Sequence, residues 1–171
     1  MIKAIGAILL VGGAALVGIF ASGELSVRSR SLEGFLKALE IMHAEIGESL
    51  APVSELMEKL SRETPSPVCD FFAECAHEKR KNPDTAFFLI WSKALSHADY
   101  LRLSGNEKEV IEELGAFLGR YSLDAQIKAI EKSSRRISSL ALVAENDKKR
   151  LGKLYAKLGV ISGMAVTIIL I

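Results

Sequence analysis

The chain has 171 residues, 49% of them hydrophobic and 25% charged, with a formal net charge of +1. That length suits one ordinary domain, and the neutral balance excludes the basic stripe by which nucleic-acid binders release counterions. The charge is also unevenly placed: only Lys3 lies outside the segment from Glu24 to Lys157, which carries all 21 acidic residues and the other 21 of 22 basic ones.

Ala4 to Gly23 is free of charge and rich in glycine, alanine, leucine and isoleucine. A spanning helix needs about 20 mostly apolar residues, and this run supplies them. Its glycines would weaken a helix in water but are common in lipid, where they let helices approach closely. A cleaved signal peptide is the competing reading, with Ala21-Ser22-Gly23 as a small-residue cleavage site. The run exceeds the usual hydrophobic region of roughly 7–15 residues, which favours an anchor.

The segment after Glu24 reads as helices in succession. Leu32, Phe35, Leu36, Leu39, Met42, Ile46 and Leu50 recur at helical spacing, an amphipathic helix running out of the first span. Ala51-Pro52 ends it, and Pro52 suits the first position of the next helix, which carries Leu56, Met57 and Leu60. Thr64-Pro65-Ser66-Pro67 is a linker. A helix over about 67–81 presents Val68, Phe71, Phe72 and Cys75, and Asn82-Pro83-Asp84 stops it. Phe87, Phe88, Ile90, Trp91 and Leu95 form the most apolar part of the domain, and their shared face predicts a buried Trp91. Ser104 and Glu107 have capping-box spacing ahead of a helix with Val110, Ile111, Leu114, Phe117 and Leu118. Gly119 closes that helix, and Ser122 can cap the next. With no stretch alternating at period two, no sheet is expected.

The last helix is the longest. Leu123, Ile127, Ile130, Ser134, Ile137, Ala141, Ala144, Lys148, Leu151, Tyr155 and Leu158 follow a repeat of seven, interrupted by polar Ser134 and charged Lys148. A bundle helix packing on the first amphipathic helix is the preferred reading; a self-associating coiled coil is the other. The pattern runs on into Leu158–Ile171, a second charge-free run. As a helix this run is roughly 21 Å long, short of a hydrocarbon core of about 30 Å. Tyr155 at the interface and a snorkelling Lys157 lengthen it by about a turn. A tail buried in a soluble core is the alternative.

Two spans place both ends of the chain on one side of the membrane. Arg28, Arg30 and Lys37 follow the first span; Lys148, Lys149, Arg150, Lys153 and Lys157 precede the second and are candidate membrane-interface residues. The positive-inside rule then puts the middle in the cytoplasm. The expected organisation is a transmembrane helix over 1–24, a cytoplasmic helical domain over 25–154 and a transmembrane helix over 155–171. The fold class is all-α: an antiparallel helical bundle flanked by two transmembrane helices. Gly159 and Gly163 form a GxxxG pair, and Ala14, Gly18 and Ser22 make a matching small-residue stripe, candidates for close helix packing.

Chemistry is sparse. His43, His77 and His97 are far apart, without HxxxH or HExxH spacing. Cys69 and Cys75 are six residues apart, face different directions on a helix, and form no CxxC or CxxxC pair. No GxxxxGK loop and no GxSxG elbow occurs. Neither an enzyme nor a cofactor or metal site is expected.

Three segments carry a family resemblance in addition to the glycine-rich first span: Leu36-Lys37-Ala38-Leu39-Glu40-Ile41-Met42-His43-Ala44-Glu45-Ile46 followed by Pro52; Leu114-Gly115-Ala116-Phe117-Leu118-Gly119 with Gln126 beyond; and Lys153-Leu154-Tyr155-Ala156-Lys157-Leu158-Gly159 leading into the terminal run. In their order and spacing the chain resembles the stage III sporulation protein AB family of endospore-forming bacteria over its whole length. That family usually begins its last helix with Asp where this chain has Ser122; both residues cap helices. The resemblance implies a structural role in an assembly in the membrane between mother cell and forespore that looks like a secretion apparatus. It implies a domain similar to the platform protein of type II secretion and type IV pilus systems, with a secretion-type ATPase and other membrane members of the complex as partners, and possible homo-oligomers. A membrane-anchored sensor or adaptor without a transport role, and an exported helical domain, are the competing readings.

Overall fold

The structure is a computed structural model. It describes residues 2–48 and 52–170, with side chains described at residue 20, residues 22–46 and residues 52–151. Among the described residues there are six α-helices, one 3₁₀ turn and no strand. The helices are α1 (Ile2–Glu48), α2 (Val53–Glu63), α3 (Val68–Lys81), α4 (Phe87–His97), α5 (Gly105–Phe117) and α6 (Leu123–Leu170). The chain divides into two units, one of residues 30–142 and one of residues 1–29 with 143–171. Within the first, α2 packs on α3, α3 on α4 and α4 on α5.

Most helix ends in the first unit follow from local chemistry. Pro52 stands just ahead of α2 rather than as its first residue: its ψ of 142° is extended, and its carbonyl accepts the first helical bonds from Glu55 and Leu56 N–H at 2.9 and 3.1 Å. Thr64 ends the helix with two bonds to the Leu60 carbonyl, from its own N–H at 3.0 Å and its hydroxyl at 2.7 Å. The Pro65 carbonyl opens α3 by accepting from Val68 and Cys69 N–H, and the Ser66–Pro67 bond between them is cis. Ser104 and Glu107 form the capping box of α5, with Ser104 N–H donating to the Glu107 carboxylate at 2.7 Å. A 3₁₀ turn over Asp99–Leu101 is an element that apolar periodicity gives no sign of. It buries Leu101, whose carbonyl accepts the Ser31 hydroxyl at 2.8 Å.

The core sits where α1, α3, α4 and α5 meet. Leu32, Phe35, Ala38, Leu39 and Met42 of α1 are buried, as are Val68, Phe71, Phe72 and Cys75 of α3. Four aromatic rings stack edge to face: Phe35 lies 5.7 Å from Phe71 and 5.9 Å from Phe72, and Phe71 lies 4.9 Å from Trp91 at 87°. Phe87 adds a further edge contact to Trp91 at 5.7 Å. Trp91 is fully buried, and its indole N–H donates to the Ile111 carbonyl at 2.9 Å. Of the apolar α4 face, Phe87, Ile90, Trp91 and Leu95 point inward, while Leu89 is 59% exposed.

Three glycines mark close approaches. A Cβ on Gly115 would stand 2.3 Å from Cδ1 of Trp91, and one on Gly34 would stand 2.8 Å from Val68 Cγ2. Gly119 has φ of +70°, the left-handed conformation expected of a residue closing a helix, and a Cβ there would also meet Val53 at 2.7 Å. Gln126 braces this turn: its Oε1 accepts the Gly119 N–H at 3.2 Å and its Nε2 donates to the Tyr121 carbonyl at 2.8 Å.

In α6 the repeat of seven coincides only in part with the buried face, since Ile127, Ser134, Ala141, Lys148 and Leu151 are half-buried while Ala129 and Ser133, off the repeat, are buried. Ile130 and Ile137 are buried in the first unit, and Ala144 is buried in the second. Leu123, at the start of the repeat, is 38% exposed.

Among the described residues no helix is long and apolar enough to cross a membrane. The side chains of the two expected spans, over 1–24 and 155–171, lie almost wholly outside the described residues.

Trp91→Ala in a fragment of residues 25–154 is expected to lower stability by about 3–5 kcal/mol, the scale of removing a large buried aromatic side chain. Gly115→Ala is the sharper variant. Alanine gains about 1 kcal/mol of helix propensity over glycine, but its methyl meets an indole that Phe71 holds from another side, an overpacking cost of about 1–3 kcal/mol. Urea unfolding followed by circular dichroism should therefore show a net loss for Gly115→Ala. A gain would mean the indole can move aside.

Candidate functional site

A polar cluster is built by α1 and α6 within the second unit. Arg28 donates from Nη1 to Asp147 Oδ2 at 3.3 Å, and the Ser29 hydroxyl donates to Glu145 Oε2 at 2.9 Å. On α6 itself, Lys148 and Lys149 close on Glu145 at 2.9 and 3.4 Å, spacings of three and four residues that share one helix face. Ser29 is buried beside this cluster, and Ala144 is buried one position before Glu145. The bond from Lys148, then that from Ser29, holds the Glu145 carboxyl down at about 2.

The cluster gives the two helices polar contacts that the repeat of seven does not describe. Lys148 occupies a repeat position, and its ammonium is taken up by Glu145 one turn earlier. What the arrangement supplies is orientation. Hydroxyl-to-carboxylate and guanidinium-to-carboxylate bonds have fixed geometry, so they favour one register of α1 against α6 where alanine contacts alone discriminate poorly.

The sequence-predicted interface residues fall into two sets. Lys148, Lys149 and Arg150 are described, and the first two join the cluster while Arg150 is exposed. The side chains of Lys153 and Lys157 lie outside the described residues, as do those of Ala14, Gly18, Gly159 and Gly163; Ser22 is half-buried. Sequence reasoning missed Ser29, Glu145 and Asp147. Each is an ordinary polar residue on a helix, and only the pairing of distant segments reveals it.

Elsewhere the titratable groups form surface pairs, among them Glu113 shared between Lys132 and Arg136, Lys128 with Asp124, and Lys59 with Glu45. His43 faces Glu131 at 3.7 Å on the surface. Cys75 is buried and Cys69 partly so; neither is in a disulfide, and burial raises both thiols, which disfavours the nucleophilic thiolate. Among the described residues no three His, Cys, Asp or Glu side chains are placed to hold a metal ion.

The family model described as stage III sporulation protein AB matches residues 3–171. The stage III sporulation protein AB of Bacillus subtilis (strain 168) is 24% identical over 171 residues, covering 99% of each chain. A solved structure of a stage III sporulation protein AB superposes with a TM-score of 0.66 at 22% identity, over 72% of this chain and 98% of that one. That likeness shows the same helical fold.

A pH dependence follows from Glu145. Its folded pKa lies below the ordinary carboxylate value, so its contribution is present above about pH 4.5, the unperturbed value, and is lost as pH falls through about 2. Amide exchange at residues 26–29 and 143–148 should stay protected down to about pH 4.5 and rise below it. Glu145→Gln should show the faster exchange already at neutral pH. Equal protection in the two proteins at pH 7 would show that the cluster does not hold the pair.

Proposed function

The chain belongs to the stage III sporulation protein AB family, and on that premise we propose that it is a membrane-anchored platform component of a secretion-like complex required for endospore formation. Its role is structural: a rigid helical domain held at the membrane of the mother cell around the forespore, where it docks a secretion-type ATPase and other membrane proteins of the complex.

One observation carries the reading. The two longest helices, α1 and α6, are the ones whose backbone continues from the bundle into the charge-free runs of the sequence. A soluble bundle gains nothing from helices extended by whole turns of unbroken apolar sequence, whereas a doubly anchored one needs them. In this reading residues 1–24 and 155–171 span the membrane and the middle faces the cytoplasm. The excess of Lys and Arg beside both spans supports that side, with Lys148, Lys149, Arg150, Lys153 and Lys157 at the interface.

The core supports a scaffold role. Its largest fully buried side chains are Trp, Phe, Leu, Ile and Met.

Topology is the first test. With Cys69 and Cys75 replaced, and the chain expressed in non-sporulating cells, a cysteine beside Lys3 should react with an impermeant thiol reagent from outside. One near Lys108 should react only after permeabilisation. The reverse pattern would exclude a cytoplasmic ATPase as partner.

Packing of the spans is the second. Gly159→Leu and Gly163→Leu should still insert, because leucine favours the membrane, yet fail in assembly or sporulation because close backbone approach is lost. Val160→Ala, off the stripe, should be neutral. Full complementation by the leucine variants would reduce the terminal span to an anchor.

A further inference from the structure

Charge is not shared evenly between the two units. The unit of residues 1–29 with 143–171 carries seven basic and three acidic residues, a net of +4, whereas residues 30–142 carry fifteen basic and eighteen acidic, a net of −3. Five of the seven basic residues, Lys148, Lys149, Arg150, Lys153 and Lys157, stand within ten consecutive residues of α6, immediately before its charge-free run.

The structure sorts the described ones by what they have left to give. Lys148 and Lys149 both close on Glu145, at 2.9 and 3.4 Å, and Arg28 closes on Asp147 at 3.3 Å. Arg150 is exposed and has neither a hydrogen bond nor an ion pair among the described residues. The two acidic residues nearest it in α6, Glu145 and Asp147, are thus engaged by other cations, and no acidic residue follows it in the sequence. Its guanidinium is always charged and offers five donors in a planar fork, so this charge is left for something outside the chain.

What lies outside follows from the course of α6. With residues 155–171 read as a span, Arg150 stands five residues, about 7.5 Å along the helix axis, before it. The headgroup layer is about 5–8 Å deep on each side of the hydrocarbon. We propose that Arg150 binds the phosphate of an anionic phospholipid in the leaflet facing the middle of the chain, with Lys153 and Lys157 adding to the attraction and Lys148 and Lys149 taken up by Glu145. Arginine holds a phosphate through two parallel N–H bonds, and a cluster of basic residues on the cytoplasmic side of a span is drawn to an anionic leaflet. An acidic segment of a partner protein is the poorer occupant, since at headgroup depth phosphates surround every exposed side of the helix. The proposal rests on the reading of residues 155–171 as a span and assigns the residue that meets the headgroup.

The test takes the full chain from membranes in a neutral detergent, offers it equal amounts of phosphatidylglycerol and phosphatidylcholine, and counts the retained lipids by native mass spectrometry. Phosphatidylglycerol should be retained in preference. Arg150→Gln should cut that preference about fivefold, the equivalent of the roughly 1 kcal/mol that one basic residue contributes near an anionic surface. Arg150→Lys, which keeps the charge, should retain most of it. Lys149→Gln removes a charge that Glu145 already balances and should have less than about half the effect of Arg150→Gln. Unchanged helicity by circular dichroism excludes unfolding as the cause. Equal losses from Arg150→Gln and Lys149→Gln overturn the proposal, because net charge alone would then act. Displacement of the lipid by sodium phosphate, but not by sodium chloride at equal ionic strength, overturns it in favour of a free-anion site. Loss of a co-purifying protein from Arg150→Gln at unchanged lipid retention overturns it in favour of a protein partner. Release of the chain from membranes by alkaline carbonate would remove the span and the proposal together. Retention in carbonate with no lipid preference overturns the headgroup site alone.

Discussion

The bundle depends on one close contact: the Trp91 indole lies directly against the backbone of α5 at Gly115. In a helix the carbonyl of residue 111 accepts the N–H of residue 115, and any side chain at 115 would shield that carbonyl from outside. Glycine leaves it open. The indole N–H then reaches the Ile111 carbonyl at 2.9 Å, satisfying a buried donor that would otherwise cost about 1–3 kcal/mol. Once the indole is fixed at α5, its other faces set where Phe71 and Phe87 stand, and Phe71 and Phe72 in turn position Phe35 of α1. Four helices are oriented by a contact that no aliphatic core residue could make, because an aliphatic side chain brings area but no direction.

This constraint shows where sequence reasoning stops. Burial of Trp91, the capping box at Ser104 and Glu107, and the turn at Gly119 were all legible, because each depends on residues within a turn or two of one another. Gly115 was legible only as part of a family pattern. A glycine inside a helix reads as a mild local weakness, and its reason lies on another helix, more than 20 positions away in the chain. Gly34 is the same case, with Val68 and Pro65 as the hidden reason. The open groove between α5 and α6, lined by Leu114, Phe117, Ala125 and Ala129, was illegible for a further reason. Ala125 and Ala129 carry no signal of their own, and a groove exists only where small residues on one helix meet large ones on the next.

The repeat of seven in α6 illustrates how one pattern supports two structures. Heptad spacing fits a self-associating coiled coil or a helix within a bundle equally well. Ile130 and Ile137 are buried by the chain's own helices, so that face of α6 is occupied before a second copy could reach it. The interruptions of the repeat then make sense as features of a bundle helix. Ser134 sits where α6 borders the shallow surface near His43, and Lys148 turns to Glu145. Neither would be tolerated as readily at the centre of a dry two-stranded seam.

At two places on α6 the paired charges are settled within the chain. Around Glu145 one carboxylate takes a hydroxyl and two ammonium groups. Between α5 and α6 Lys132 and Arg136 share Glu113, and Lys128 pairs with Asp124. What separates the two is burial. Ser29 is buried beside Glu145 and ties α1 to α6, so that cluster fixes register. The pairs on α5 and α6 are exposed, and such pairs contribute little to folding. The polar bonds that matter to the architecture are therefore the buried ones, as where the Trp91 indole meets the Ile111 carbonyl and the Ser31 hydroxyl meets that of Leu101. Apolar burial supplies the area, and these few bonds supply the direction that area alone does not.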